Sequence, residues 1–192
     1  MKKSEISEMR KRWQTSSFHD LRTALDEGIS PFGLINGLRD YRGVSVSVSL
    51  HGIVLSGLDF SYSEMEHGQF ASEVRGCRFE NVCYESNLGK FFQDCDFTSA
   101  KLDNCVLRGA FVRCDFTRAN LTHVRASAVT FEDCRFVDTI LRNGSFFDCT
   151  FKGCYFESVK LISGTIAGCK FLDSATSGLS VVKSVTERVI GL

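Results

Sequence analysis

Nine cysteines and four histidines are the side chains of this 192-residue chain with the widest chemical range. Thiolates and imidazoles hold metals, attack carbonyls and move protons, provided that several converge. His19, His51, His67 and His123 fall in separate segments, and none stands at ligand spacing from a cysteine or carboxylate. If the chain coils on itself, His51 and His67 come together as a weak metal pair; solvent-facing polar residues are the plainer reading. Eight cysteines (Cys77, Cys95, Cys105, Cys114, Cys134, Cys149, Cys154 and Cys169) each precede a Phe or Leu by two residues. Only Cys83 breaks that rule. It precedes Tyr84, is expected to point outward or sit near a corner, and is the best candidate for a reactive thiol. No histidine or helix N-terminus stands beside it to lower its pKa. There is no C-x-x-C, and the odd count leaves one thiol unpaired. Gly52, Gly57, Gly68 and Gly76 carry neither G-K-S nor G-x-G-x-x-G, so no phosphate loop is expected. These residues assemble no catalytic, cofactor or metal site, and a non-enzymatic protein is expected.

The elements that position these residues follow from a double period. Phe111, Phe131, Phe151 and Phe171 lie twenty residues apart. Between them run Phe116, Phe136 and Phe156, then Leu121, Leu141 and Leu161, then Ala126, Phe146 and Ile166. A large apolar residue thus recurs every five residues, and its identity every twenty. Neither an α-helix nor a sustained two-residue alternation has this period. A coil of four five-residue sides does, with the small residue and the Phe or Leu of each side both facing inward. The cysteines occupy that small slot, which Ala119, Thr139, Val159, Gly144 and Gly164 fill elsewhere. Cys114, Cys134 and Cys154 then form one ladder. Free buried thiols suit a reducing compartment.

The beat begins near Val44. Val44 to Leu50 alternates as a strand, and Leu55, Phe60, Met65 and Phe70 step by five. Slips near Leu88 and between Leu107 and Phe111 predict bulges, tightened corners or small loops. Residues 44–173 make six to seven turns, a rod of roughly 30 Å for six turns stacked ~4.8 Å apart. Residues 1–43 are expected to form a helical cap over one end. Ser7 to Trp13 reads as a charged helix start, and Phe18, Leu21, Leu25 and Ile29 have helical spacing, with Ser16 or Ser17 as cap and Gly28 and Pro31 as stops. Phe32 to Leu38 predicts another short turn of helix. Residues 174–192 are expected to cap the other end or to self-associate, as a short helix carrying Val182, Val185, Val189 and Leu192.

Cys114-Asp115-Phe116-Thr117-Arg118 followed by Ala119-Asn120-Leu121-Thr122-His123 resembles the pentapeptide-repeat motif: small, Asp or Asn, Leu or Phe, then two variable residues. Ser86-Asn87-Leu88, Cys95-Asp96-Phe97 and Ser63-Glu64-Met65 match in whole or part. The middle position is loosely kept, with Arg135, Thr150, Tyr155 and Lys170. The resemblance implies an all-β fold, a right-handed quadrilateral β-helix, acting as a protein-binding or scaffold module through its faces. It also implies an alternative, since some members mimic duplex DNA and bind type II topoisomerases such as gyrase, protecting them from quinolones or toxins. Mimicry needs dense negative charge. Here sixteen acids stand against thirteen bases over residues 44–173, a net −3, and the whole chain balances 23 Lys and Arg with 23 Asp and Glu. An evenly mixed surface is therefore expected, with no direct binding to nucleic acid. No apolar run reaches the ~18 residues of a membrane span. The start, Met1-Lys2-Lys3-Ser4-Glu5, has no apolar stretch of a secretory signal, so the cytoplasm is expected.

Overall fold

The structure, a computed structural model, describes residues 1–15, 21–29, 31–65, 71–84 and 87–192. The chain winds as a four-sided β-solenoid of about seven turns. Its first side is a seven-stranded parallel sheet in which Leu55, Val74, Phe92, Phe111, Phe131, Phe151 and Phe171 stack in register. The second side stacks Tyr41, Phe60, Phe79, Phe97, Phe116, Phe136 and Phe156. The third carries Val46, Met65 and Tyr84, then Leu141, Leu161 and Val181 further up. The fourth carries Leu107, Ala126, Phe146 and Ile166. Consecutive rings on the first side lie 4.7–5.3 Å apart from Phe92 to Phe171, within 14° of parallel. Where the first and second sides meet, their rings touch edge to face, as Phe111 does with Phe116 at 5.6 Å.

Each corner needs one residue in left-handed backbone, and it falls two residues after the inward Phe or Leu. Arg113, Arg118, His123, Ala128, Asp133, Asp138, Asn143, Asp148, Gly153, Ser158, Ser163, Gly168 and Asp173 all have φ between 50° and 65°. Glycine, asparagine and aspartate tolerate that conformation best. The small slot comes next and ties turns together. Cys134 Sγ donates to Phe111 O at 3.2 Å, Cys154 Sγ to Phe131 O at 3.3 Å and Thr139 Oγ1 to Phe116 O at 2.9 Å. All nine cysteines are free, and the eight slot thiols are buried. The ladder is longer than expected, because Cys77 and Cys95 belong to the same column as Cys114, Cys134 and Cys154. Burial pushes the Cys77 thiol up to about 12.

The loosely kept middle position has a local reason. Asp59, Asp96, Asp115 and Asn120 each accept the N–H of the residue two ahead, closing a turn at 2.8–3.1 Å. From Arg125 to Leu172 the sides run as three- or four-residue strands instead, so Arg135 and Tyr155 need only face outward. The slips are tightened corners. Leu55 pairs with Val74 nineteen residues on, Val74 with Phe92 eighteen on and Phe92 with Phe111 nineteen on; later rungs are twenty apart. Four-residue steps lie between the fourth side and the first at Leu88–Phe92 and Leu107–Phe111, and the eighteen-residue turn has another between the third side and the fourth, from Tyr84 to Leu88.

Both ends differ from expectation in part. The helices Lys3–Thr15 and Leu21–Asp26 are present, and Gly28 turns the chain at φ 69°. Phe18, Ser16, Ser17, His19, His67 and Phe70 lie outside the described residues. No helix follows Phe32. Leu34–Ile35 and Leu38–Asp40 form an antiparallel hairpin instead, because Asn36 and Gly37 both take positive φ, as a two-residue Asn-Gly turn requires. The second strand then pairs with Leu58–Asp59, so the coil starts before Val44. The Val44 to Leu50 alternation yields only the strand Ser45–Val46, since the chain turns a corner there. The C-terminal helix is also corrected. Leu179–Val182 and Val185–Glu187 are strands that extend the third and fourth sides by one turn. Thr176, Val181 and Thr186 keep the twenty-residue beat of Phe156, Leu161 and Ile166, and that register overrides the helical spacing of the valines.

Helix Lys3–Thr15 sits on the first turn. Arg12 grips Asp40 with two hydrogen bonds of 2.7 and 2.8 Å, and Arg42 adds two of 3.0 Å. Trp13 stacks on Tyr41 at 5.7 Å, placing the helix over the first ring of the second-side ladder. Burial alone raises the Asp40 carboxyl, but the hydrogen bonds from Arg12 and Arg42 hold it well below the usual carboxylate range.

Candidate functional site

Function in such a coil falls to outward residues, because the inward ones are committed to packing. On the first and second sides, several charged residues pair with each other across or along the turns. Arg113 meets Asp94 at 2.7 Å, Lys152 meets Glu132 at 2.7 Å and Arg78 meets Asp96 at 3.4 Å. Arg75 pairs with Glu73, and Arg10 reaches Glu64. The middle-position column of the second side reads Asp40, Asp59, Arg78, Asp96, Asp115, Arg135 and Tyr155, of which Asp40 and Asp59 are buried at the first turns. Two arginines interrupt its acids, and the Arg135 guanidinium lies 5.4 Å from the Tyr155 ring. No continuous acidic stripe forms there.

The fourth side is different. Its outward columns read Val106, Arg125, Ser145, Thr165 and Val185, and then Ser127, Phe147, Ala167 and Glu187. Between Asn87 and Ala167 none of these positions holds an acid. Phe147 is 45% exposed, beside Ser127, Ser145 and Ala167, with Arg125 the one cation of these columns. Two depressions adjoin on this side. A shallow one of about 290 Å³ is lined by Val106, Arg108, Arg125, Ser127, Ser145 and Phe147, among others. A notch of about 360 Å³ lies where the corners tighten, lined by His51, Ser72, Asn87, Gly89, Lys90 and Arg108, among others. Arg108 lines both.

The last tightened corner depends on glycine. At Gly109 (φ 72°) a Cβ would stand 1.9 Å from Lys90 O, so only glycine lets the two turns close. The side chains of Lys90, Arg108 and Arg125 are exposed and make no ion pair among the described residues. Neither depression is lined by a carboxylate among the described residues.

The residues singled out in the sequence are dispersed. His51 borders the notch. His123 turns a corner at φ 56°, with Asn143 Nδ2 3.5 Å from its Nε2. Cys83 is half-buried in strand Cys83–Tyr84, outside the slot, between Glu64 and Lys101 of the neighbouring turns. Among the described residues no group of three or more His, Cys, Asp or Glu is placed to hold a metal ion, and no helix is long and apolar enough to cross a membrane. Sequence reasoning passed over Lys90, Arg108, Arg125 and Phe147. The signal for Phe147 was present: it follows Phe146 and stands off the five-residue beat, so it is a Phe without a place in the core.

Residues 114–153 match the family model for pentapeptide repeats, in eight copies. No curated protein matches the sequence. Among solved structures, similarity is found to HetL, a pentapeptide repeat protein involved in heterocyst differentiation regulation from the cyanobacterium Nostoc sp. strain PCC 7120. The identity is 15% over 80% of this chain and 87% of that one, with a TM-score of 0.30. A trypsin-treated form of QnrB1, a plasmid-mediated fluoroquinolone resistance protein, gives 13% identity over 77% and 86%, with a TM-score of 0.39. Rfr23, a pentapeptide repeat protein from the cyanobacterium Cyanothece 51142, gives 10% identity over 76% and 90%, with a TM-score of 0.23.

Proposed function

We propose that this chain, whose residues 114–153 match the pentapeptide-repeat family model, is a non-enzymatic binding module that docks a protein partner on its fourth side. The observation that carries this reading is exposed Phe147 among the uncharged Ser127, Ser145, Thr165 and Ala167 of the fourth side's outward strand columns, which hold no acid before Glu187. A flat β face with one aromatic anchor and cations at its edge gives a partner both area to bury and a contact that fixes its register. The nine free thiols suit the cytoplasm as its compartment. DNA mimicry toward a type II topoisomerase such as gyrase is less well supported. Asp94, Asp96 and Glu132 are each matched by a cation, so the field along the rod is a patchwork.

A photo-crosslinking amino acid at position 147 tests the docking face against the same group at Glu157 on the second side. One dominant adduct from position 147, absent from 157, is expected in host-cell lysate. Equal labelling at both, or labelling from 157 alone, refutes the assignment.

A second observation favours self-association through the last turn. Val182, Val185, Ile190 and Leu192 are 41–58% exposed there, beside strands that pair on one edge only. Two copies meeting at these edges would form a homodimer.

A further inference from the structure

We propose that the notch at the tightened corners binds a phosphoryl dianion, such as a phosphate monoester. Two consecutive turns run side by side there. Asn87 bridges to Val106 and Phe91 pairs with Ala110, so residues 87–91 and 106–110 match one for one. The Leu88 N–H donates to Val106 O at 3.1 Å, and the Ala110 N–H to Lys90 O at 2.9 Å. Gly89 and Lys90 therefore lie beside Arg108 and Gly109 of the next turn, ~4.8 Å away. The side chains of Lys90 and Arg108 rise from neighbouring positions of adjacent turns, and both line the notch. Its lining also includes Gly89, which has no side chain, and Ala71, which has only a methyl, so room is left between the cations.

The notch is rich in donors. Ser72 Oγ accepts the Gly52 N–H at 3.3 Å, which leaves its own hydrogen to give to a ligand. The Asn87 amide carries two N–H donors, and the His51 imidazole has an N–H in either charge state. Lys90 and Arg108 make no ion pair, and no carboxylate lines the notch, among the described residues.

Charge and shape select the ligand. An ammonium and a guanidinium together carry two positive charges, so a dianion neutralises both, whereas a carboxylate leaves one unmatched. The guanidinium fork takes two phosphoryl oxygens in parallel hydrogen bonds, and the lysine acts as a point charge on a third. A planar carboxylate has no third oxygen for the remaining donors. The volume of about 360 Å³ is that of a small-molecule cleft. Nothing in this site uses Phe147, so it stands apart from the docking face.

The test is titration of inorganic phosphate into the ¹⁵N-labelled full-length protein, at low ionic strength because salt screens an exposed site, and at slightly alkaline pH, where phosphate is a dianion. Saturable amide shifts centred on Ser72, Asn87, Gly89, Lys90 and Arg108 are expected. Arg108→Gln and Lys90→Gln should each weaken binding about fivefold, as loss of an exposed ion pair does at most. Both side chains are exposed, so the remaining spectrum should not change. Arg125→Gln removes the same charge outside the notch and should change the affinity less than about twofold. Phe147→Ser should leave it unchanged, so failure of the docking face and failure of the notch are told apart. A phosphoserine peptide and glycerol phosphate, run in parallel, distinguish a protein-borne from a small-molecule source; tighter binding of either supports the site. Equal weakening by Arg125→Gln would show general attraction to a basic surface and overturn the site. Shifts that chloride reproduces at equal ionic strength, or no saturation, overturn it as well.

Discussion

Replacing Phe136 by alanine tests the ladder core directly. Phe136 is 2% exposed. It stacks on Phe116 at 5.1 Å and on Phe156 at 4.9 Å, both within 5° of parallel, and meets Phe131 and Phe151 edge-on at 5.6 and 6.2 Å. Burying such a side chain contributes roughly 1.5–3 kcal/mol, and each aromatic pair adds about 0.5–1.5 kcal/mol. The neighbouring turns are held by backbone ladders at fixed spacing and cannot close over the gap. The loss should therefore be about 3–5 kcal/mol, the usual range for a buried Phe→Ala. Urea denaturation followed by far-ultraviolet dichroism measures it. Phe171 supplies the control. It stacks on Phe151 alone, at 4.7 Å, and Gly191 follows it in the last turn. Phe171→Ala should cost about 1–2 kcal/mol less, because stability in a solenoid is a sum of neighbour contacts. A loss below about 1 kcal/mol for Phe136→Ala, or equal losses for both variants, would refute the stacked-rung account.

Three further outcomes follow from other parts of the coil. Because Arg12 and Arg42 depress the folded-state pKa of Asp40 below its unfolded value, the ion pair stabilises the cap above the ordinary carboxylate range of about 4, and that stability is lost as pH falls from there. Trp13, the only tryptophan, should report the loss as a red shift in emission below about pH 4; Asp40→Asn should show the shift already at neutral pH, at a cost on the order of 3 kcal/mol, and an unchanged spectrum refutes the docking. Gly109→Ala should cost at least about 2 kcal/mol more than Gly57→Ala, because a Cβ at 109 meets Lys90 O at 1.9 Å while one at 57 meets nothing within 4 Å; equal melting curves would show that the corner is not closed by glycine. Val185→Glu should convert a dimer to a monomer in light scattering after size exclusion, and a monomeric wild type sinks the self-association reading.

Much of the core was legible because its period is set by backbone geometry. Phe111, Phe131, Phe151 and Phe171 repeat at twenty because four five-residue sides close one turn, and the eight slot cysteines follow from the same count. The corners were less legible. Asp133, Asp138, Asn143, Asp148 and Gly153 recur at five-residue spacing and mark the left-handed position, but among many surface acids they read as variable. The ends misled because short apolar patterns are ambiguous: Val182, Val185 and Val189 suit a helix locally, while the preceding turn offers them a parallel edge. At Asn36-Gly37 the turn signal was present and was outweighed by the apolar run around it.

The candidate site was not legible in this way. The sequence alone determined which residues face inward, since a five-residue beat leaves an apolar side chain one orientation that escapes water. It could not determine which outward residues meet. Lys90, Arg108, Ser127 and Phe147 are far apart in the chain and share no motif. Shortened steps of eighteen and nineteen residues, and the register of each turn on the last, bring them to one face. That register is fixed by hydrogen bonds and stacked rings between turns, so only the tertiary structure decided where exposed Phe147 and its small uncharged neighbours would lie.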